Sequence, residues 1–159
     1  MEQEEVRYTI RPAMEDEWGD AMWLAWRTFL KYDASDYTNE GIKSFGEFIT
    51  DETLHKLFLK GDYEMLVARA NNELIGLITL RDVSHISLLF VREGYHAMGI
   101  GSSLVRTLYK YVKDTKGVSY VTVNAAPYAI GFYHALGFEN IGHSTVHKGI
   151  IALPMKLHL

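Results

Sequence analysis

Residues 88–104 read LLFVREGYHAMGIGSSL, an apolar start followed by a loop that contains three glycines. The apolar start is typical of a buried strand, and Gly99-Ile100-Gly101 is where a helix would open. The first N–H groups of a helix lack partners within it, and the helix dipole favours an anion beside them. Glycines let the backbone approach a phosphate closely, and Ser102 offers a further donor. The stretch fits a phosphate site, although a bare Gly-x-Gly is more often only a tight turn.

Two familiar nucleotide-binding loops are excluded by the residues that follow. A Walker A loop requires Gly-Lys-Ser/Thr, which does not occur here. A Rossmann fingerprint requires a third glycine at the position that Leu104 occupies. The chain, at 159 residues, is also short for the doubled unit that usually carries such a site.

The apolar pattern on both sides of the loop predicts a mixed α/β fold in one domain, 1–159, without linker or repeat. Strands are predicted over residues 6–11, 63–69, 74–81, 85–91, 118–123, 139–143 and 149–157, and helices over 14–30, 38–49, 51–60, 100–113 and 130–136. Thr38 and Asp51 are candidate N-caps, and Asn71-Asn72 suits a tight hairpin turn. The strand over 85–91 is apolar on both faces, which indicates a central position.

Composition excludes several classes of function. The chain has no cysteine, so a disulfide framework, a thiolate zinc site and a cysteine nucleophile are ruled out. Its net charge of −4 argues against nucleic acid as a partner. No apolar run is long enough to span a bilayer, and the acidic start Met1–Glu5 is unlike a signal peptide. We expect a cytoplasmic protein with neither a nucleic-acid nor a membrane partner.

Two blocks of sequence together resemble a known family. The segment 96–101, His-Ala-Met-Gly-Ile-Gly, is similar to the Gln/Arg-x-x-Gly-x-Gly/Ala hallmark of the GCN5-related N-acetyltransferase (GNAT) family. Asn124, followed by Phe-Tyr-His-Ala-Leu-Gly-Phe at 132–138, resembles the second block of that family. The two blocks occur in the family's order, and the resemblance covers roughly residues 64–157. His96 replaces the usual Gln or Arg, Glu93 stands where proline is common, and the central strand lacks the frequent catalytic glutamate.

The resemblance implies a GNAT-like, mostly antiparallel sheet of about six to seven strands, flanked by helices, with a splayed central strand pair. It implies acetyl-CoA as cosubstrate, with its pantetheine arm in the gap and its pyrophosphate on the glycine turn. No metal is implied. The residues expected to bind the cofactor are Leu89, Phe90, Val91, His96, Ala97, Met98, Gly99, Ile100, Gly101, Ser102, Asn124, Phe132 and Tyr133.

The implied reaction is transfer of the acetyl group to a primary amine of a small molecule or peptide. Tyr133 is the candidate general acid, since a phenol is protonated at neutral pH and can give its proton to the departing sulfur. An alkylamine, with a pKa of about 10, must first lose a proton. His85 is a candidate base, Ser87 could orient a water instead, and the amine could also lose its proton directly to water.

The acceptor end is less defined by the sequence. By family analogy, the end of the first helix places Phe29 and Tyr32 against the acceptor. Acidic residues in the following segment could attract a cation, although an ordinary solvated face explains them more simply; these are Asp33, Asp36 and Glu40. His143 and His147 are spaced as on a helix but lie in a strand or loop, so a metal site is not expected.

A second class of function also fits the sequence. A non-catalytic module that binds or senses acyl-CoA would have the same fold, and the missing strand glutamate is consistent with it. Tyr133 favours the enzyme. The identity of the acceptor is not specified by these residues, and a homodimer is left open.

Overall fold

A computed structural model describes residues 6–159, and the acidic stretch Met1–Glu5 lies outside the described residues. The fold is mixed α/β, as predicted. The strands are β1 Thr9–Pro12, β2 Glu64–Ala70, β3 Glu73–Arg81, β4 His85–Val91, β5 Tyr120–Ala125, β6 Glu139–Asn140, β7 Thr145–His147 and β8 Ile150–His158. The helices are α1 Trp18–Thr28, α2 Asn39–Ile49, α3 Glu52–Lys60, α4 Ile100–Tyr111 and α5 Ile130–Ala135, and a π turn, Phe29–Asp33, continues α1.

The strands form one sheet in the order β1-β2-β3-β4-β5-β8-β6, with β7 paired to β8. Every pairing is antiparallel except that of β4 with β5. The sheet has 8 strands rather than the expected six to seven. The additional strand is β7, whose three exposed residues lack the alternation of burial that a sequence pattern could register.

The central pair, β4 and β5, separates after a short contact. His85 pairs with Thr122 and Ile86 with Val123, and no later residue of β4 pairs with β5. The gap opens at Ser87, earlier than the expected 89–91. A register shift between Thr79 and Leu80 gives β4 one residue more than β3 at this point, and such a bulge redirects a strand. The predicted splayed pair is confirmed.

Two apolar clusters cover the two faces of the sheet. Alternate residues of β2 and β3, such as Ala68 and Ile78, pack with α4 and α5 on one face. Their neighbours Val67 and Leu77 pack with α1, α2 and α3 on the other. Because both faces of the inner strands are covered, close packing fixes where β4 and β5 lie side by side and therefore where the gap between them begins.

Several local predictions are confirmed. Thr38 accepts a hydrogen bond from the N–H of Gly41 at 3.1 Å, and Asp51 accepts one from the N–H of Thr53 at 2.7 Å, so both residues cap helices. Asn71 and Asn72 have positive φ, as the hairpin turn requires. The strand predicted over 6–11 is instead Thr9–Pro12, because an edge strand can accommodate proline, which has no N–H to donate.

Glu17 explains why the first helix begins later than residue 14. Its carboxylate, only 8% exposed, accepts hydrogen bonds from Arg11 at 2.6 Å and from Arg69 at 2.8 Å. It also accepts one from the N–H of Met14 at 2.8 Å. These contacts hold Glu15–Glu17 in a 3-10 turn, so α1 starts at Trp18.

We expect Glu17→Gln to lower the free energy of unfolding by about 1–3 kcal/mol at neutral pH, because charge-assisted hydrogen bonds are lost. The hydrogen bond from Arg11, with those from Met14 and Arg69, lowers the pKa of Glu17 from 4.5 to about 2. A carboxyl group whose pKa is lower in the folded state than in the unfolded state stabilises the fold at pH values above the unfolded-state pKa. This stabilisation is lost as pH falls towards about 2. Urea unfolding at neutral and acid pH measures it, with the exposed Glu15→Gln as control. A difference that persists in acid would contradict the assignment.

Candidate active site

One cavity of about 1240 Å³ lies where β4 and β5 separate. Its walls come from β4, the start of α4, α5, the π turn, α2 and the β7–β8 hairpin. Of the residues predicted to form the site, all line this cavity except Met98, which is exposed on the loop. The structure therefore brings the two sequence blocks together.

The glycine turn has the geometry of an anion site. Gly99 is the N-cap of α4 with φ of +80°, a conformation that favours glycine, and nothing lies within 4 Å of where its Cβ would be. Ile100, Gly101 and Ser102 are the first three residues of α4, whose N–H groups have no partner within the helix. All three line the cavity. A pyrophosphate on this turn would meet free donors and the positive end of a 12-residue helix.

His96 supports this loop from inside. Its Nε2 lies 2.6 Å from the carbonyl oxygen of Val91 and donates to it. Its ring packs against Tyr32 with centroids 4.7 Å apart, and Tyr32 in turn packs on Tyr128 at 5.7 Å. Tyr32 thereby connects the loop after β4 with the turn after β5 across the mouth of the gap. The carbonyl of Val91 is engaged by His96, a contact that the sequence pattern did not reveal.

We expect His96→Gln to change the affinity for coenzyme A less than tenfold, because glutamine can still donate to the Val91 carbonyl and the anion contacts are main-chain. Isothermal titration calorimetry of both proteins measures it. A loss of 100-fold or more, about 2.7 kcal/mol, would instead mean that His96 contacts the ligand directly.

Tyr133 is buried in α5 but its hydroxyl faces the cavity. Its ring makes edge contacts with Phe132 and Phe138, each at 5.1 Å between centroids, and the residue is 3% exposed. Within residues 6–159 its hydroxyl has no hydrogen-bond partner, yet no fully enclosed polar side-chain atom there is unsatisfied, so the hydroxyl opens on the cavity. Burial raises the pKa of Tyr133 well above its usual value, and the charge of Asp33 raises it further. The phenol is fully protonated at neutral pH.

His85 and Ser87 lie on β4 at the base of the gap. The Nδ1 of His85 is 2.8 Å from the hydroxyl of Thr122, its partner in the first of the two β4–β5 pairs. Burial, and then the charge of Arg81, lowers the pKa of His85 to about 4, so its ring is neutral at physiological pH.

A buried polar network fixes Ser87. Its hydroxyl accepts a hydrogen bond from Tyr63 at 2.9 Å, and the Tyr63 hydroxyl also lies 2.7 Å from Thr79. Thr79 accepts the N–H of Leu88 at 2.9 Å. The sequence did not identify Tyr63 as a site residue, because its contact with β4 depends on the strand register and no local sequence pattern indicates it.

The end of the cavity predicted to receive the acceptor is aromatic and acidic. Phe29, Tyr32 and Asp33 of the π turn line it together with Tyr37, whereas Asp36 and Glu40 do not. Tyr37 donates to the carbonyl of Ile151 on β8 at 3.3 Å. Burial raises the pKa of Tyr37 to about 12, and burial followed by the charge of Asp36 raises that of Asp33 to about 6.

The β7–β8 hairpin closes this end against α2. Gly41 and Gly149 approach so closely that a Cβ on either would lie within 2.2 Å of the opposing chain. Ser44 donates to the carbonyl of Lys148 at 3.1 Å. The hairpin and α2 thus contribute cavity residues that sequence analysis did not identify: Ser44, Phe45, Glu47, Phe48, Thr145, His147, Lys148, Ile150 and Ile151.

Two kinds of feature, a metal cluster and a membrane-spanning helix, are absent from the part of the chain that begins at residue 6. Within it, no three His, Cys, Asp or Glu side chains are grouped so that they could hold a metal ion. None of its helices is both long and apolar enough to cross a bilayer.

The sequence profile of the acetyltransferase (GNAT) domain matches residues 33–159, most of the chain. The chain therefore belongs to the GNAT acetyltransferase family, as the two sequence blocks indicated. Solved structures agree on the fold. A GCN5-related N-acetyltransferase from Rhodopseudomonas palustris has a TM-score of 0.84 at 20% identity, covering 100% of both chains.

Two similar structures contain coenzyme A. The PaiA N-acetyltransferase of Thermoplasma acidophilum, in complex with coenzyme A, has a TM-score of 0.81 at 21% identity, covering 96% of this chain and 99% of that one. The spermidine N-acetyltransferase of Vibrio cholerae, in complex with CoA and spermine, has a TM-score of 0.69 at 16% identity, covering 95% of each chain. At these identities the likeness demonstrates the shared fold.

Proposed function

We propose that this protein is an acetyl-CoA-dependent N-acetyltransferase that acts on a primary amine, with Tyr133 as general acid. The observation that carries the proposal is the free Tyr133 hydroxyl, which opens on the same cavity as the glycine turn and the unpaired part of β4. A donor, an anion site and free strand edge in one cavity are what acyl transfer from a phosphorylated thiol ester requires.

The residues present fit coenzyme A. The pyrophosphate would meet the N–H groups of 100–102, and the gap beyond Ser87 leaves backbone groups of Leu89 and Val91 for the pantetheine amides. Because the Val91 carbonyl already accepts a hydrogen bond from His96, the backbone N–H groups of Leu89 and Val91 are the simpler partners for the pantetheine arm. A backbone N–H near Leu89 would stabilise negative charge on the thioester oxygen. Coenzyme A supplies the acyl thioester when bound.

Tyr133 suits the proton transfer to sulfur because its surroundings are apolar. Its raised pKa makes Tyr133 a weaker acid than a phenol in water. The same apolar surroundings also destabilise a thiolate, so the departing sulfur binds a proton more strongly there. The packing of Phe132 and Phe138 fixes the ring, which leaves the hydroxyl direction determined by the fold.

The acceptor end favours a cationic amine. Asp33, Glu47 and Asp51 line the cavity with negative charge beside aromatic Phe29 and Tyr37. Aromatic faces and carboxylates both attract ammonium groups. Among similar structures are spermidine N-acetyltransferases, one in complex with spermine, so di- and polyamines head the acceptor panel.

The competing function is a non-catalytic module that binds acyl-CoA, favoured by the absence of a glutamate on β4. Thiol release from acetyl-CoA, followed across a panel of alkylamines, polyamines and lysine-containing peptides, decides between them. Turnover with an amine supports the enzyme. Tight coenzyme A binding without turnover on any acceptor would favour the module.

A further inference from the structure

An ammonium acceptor must lose a proton before its nitrogen can attack, and β4 offers no glutamate to take it. The present inference rests on the proposed function and identifies the group that takes this proton. Among residues 6–159, three carboxylates line the cavity, those of Asp33, Glu47 and Asp51, and Asp33 is the one on the π turn next to Tyr32.

Asp33 is brought into the cavity by a departure from regular helix. Residues Phe29–Asp33 form a π turn, which redirects the chain at the end of α1 before the 3-10 turn Ala34–Asp36. A regular α-helix would not present the side chains of this segment in the same directions. Asp33 is half-buried and lines the cavity, while Asp36, three residues on, is exposed and does not.

The carboxylate of Asp33 is free to act on a ligand. From residue 6 to residue 159, no side chain or backbone group donates a hydrogen bond to it, and no cation pairs with it. The acid Glu17 shows the contrast, since two arginines and an N–H occupy its oxygens. A half-buried carboxylate without a protein partner is costly, and a cationic group bound in the cavity would offset that cost.

Asp33 also interacts with the proposed acid. Both residues line the same cavity, and Tyr32, the neighbour of Asp33, packs on Tyr128 just before α5 with ring centroids 5.7 Å apart. The charge of Asp33 contributes to the raised pKa of Tyr133. Burial raises the pKa of Asp33 itself to about 6, with Asp36 adding to the shift. Two titratable groups whose pKa values are pushed apart in one site are the pattern of an acid and a base.

Other titratable groups face the same cavity from neighbouring elements. They are Arg81 and His85 on β3 and β4, Tyr95 and His96 on the loop after β4, Tyr32 on the π turn, Tyr37 before α2, Glu47 and Asp51 around the end of α2, Tyr128 before α5, and His147 and Lys148 on the hairpin. His85 is the alternative base. Its pKa of about 4 makes it the weaker proton acceptor, and its Nδ1 is engaged by Thr122.

We propose that the Asp33 carboxylate accepts the proton of the bound ammonium group and so acts as the general base. The amine nitrogen then forms a bond to the thioester carbon, and the carbon–sulfur bond breaks. Sulfur leaves with the Tyr133 proton as the thiol. The new amide nitrogen loses its remaining extra proton, which restores the Tyr133 hydroxyl, and Asp33 returns its proton to water. One ammonium and one thioester yield one amide, one thiol and one proton.

The test compares Asp33→Asn with the wild type on ethylamine across pH 6 to 9. In the wild type, kcat should be level above about pH 7, because the carboxylate is ionised. The variant can use only amine that is already neutral, about 1 part in 10³ at pH 7, so its kcat should be lower by about 10²–10³-fold there. Its kcat should then rise about tenfold per pH unit.

A matched acceptor separates proton removal from attraction of the cation. The nitrogen of 2,2,2-trifluoroethylamine is largely uncharged at neutral pH because fluorine withdraws electrons, so the ratio of wild-type to variant kcat should approach one. A ratio equally large on both amines, or a loss confined to KM with an unchanged pH profile, would overturn the proposal. Asp20→Asn, exposed on α1 and outside the cavity, is the control variant and should retain wild-type kcat.

The two proposals fail differently. If the wild type acetylates no amine in the panel, the proposed function fails and the base assignment fails with it. If the wild type acetylates amines and Asp33→Asn does so at an equal rate at pH 7, only the base assignment fails. A melting temperature at least as high as that of the wild type, since a costly buried charge is removed, and an unchanged coenzyme A affinity establish that the variant is folded.

Discussion

Replacing Gly101 with glutamate should weaken coenzyme A binding at least 100-fold, equivalent to about 2.7 kcal/mol. Gly101 is the second residue of α4 and lines the cavity, so a side chain there enters the space assigned to the pyrophosphate. A carboxylate about 4 Å from one phosphate charge costs about 4 kcal/mol at the effective dielectric of a protein surface. Isothermal titration calorimetry with coenzyme A measures the loss.

The matched control is Gly101→Ala. A Cβ at this position would lie 3.4 Å from the Phe132 ring and 3.7 Å from Val91, which is ordinary van der Waals contact. Gly101 lies within α4 and does not have a positive φ, so its backbone accepts alanine. The alanine variant should keep its affinity within about tenfold, which separates charge from bulk. Undiminished binding by a folded Gly101→Glu protein would show that the phosphates lie elsewhere.

The parts of the fold that local chemistry determines were predictable. The caps Thr38 and Asp51 and the left-handed pair Asn71-Asn72 each depend on residues within a few positions of one another. The apolar residues on both faces of 85–91 similarly identified the central strand. The late start of α1 was not predictable, because Glu17 is held by Arg69, 52 residues away in sequence. The π turn was not predicted either, since the helical spacing of apolar residues continues through it.

The same division explains how much of the site the sequence revealed. Contiguous motifs identified the glycine turn and Tyr133, since each carries its chemistry in a few adjacent residues. The wall made by α2 and the hairpin depends on the contact between Gly41 and Gly149, more than a hundred positions apart. Asp33 was recognised as an acidic residue near the acceptor, but its burial, which separates it from Asp36, is a tertiary property.

In the proposed mechanism, the charge of Asp33 affects how readily Tyr133 gives up its proton. Ionised Asp33 makes tyrosinate less favourable at position 133, and a bound ammonium would offset that charge. Once Asp33 has taken the proton, its negative charge is gone, so Tyr133 becomes a stronger acid at the stage when sulfur departs. In the proposed mechanism the two groups would therefore act in a favourable order, and removing either should affect kcat more than KM.

Tyr133→Phe should reduce kcat by about 10²–10⁴-fold, the usual range for loss of general acid catalysis. The substitution removes only the hydroxyl, which has no protein partner among residues 6–159, and keeps the edge contacts with Phe132 and Phe138. Folding and coenzyme A affinity should therefore be nearly unchanged. A thiolate is a fairly good leaving group, so the loss should fall towards the lower end of the range.

Steady-state kinetics on the best amine of the panel measure the effect, with thermal melting as the folding control. Tyr109→Phe, on the adjoining helix α4 and outside the cavity, removes a hydroxyl elsewhere and should retain wild-type kcat. The proton is needed when the carbon–sulfur bond breaks, so KM should change little. A stable Tyr133→Phe enzyme with full activity would mean that the phenol only packs, and that sulfur leaves as the free thiolate or takes its proton from water.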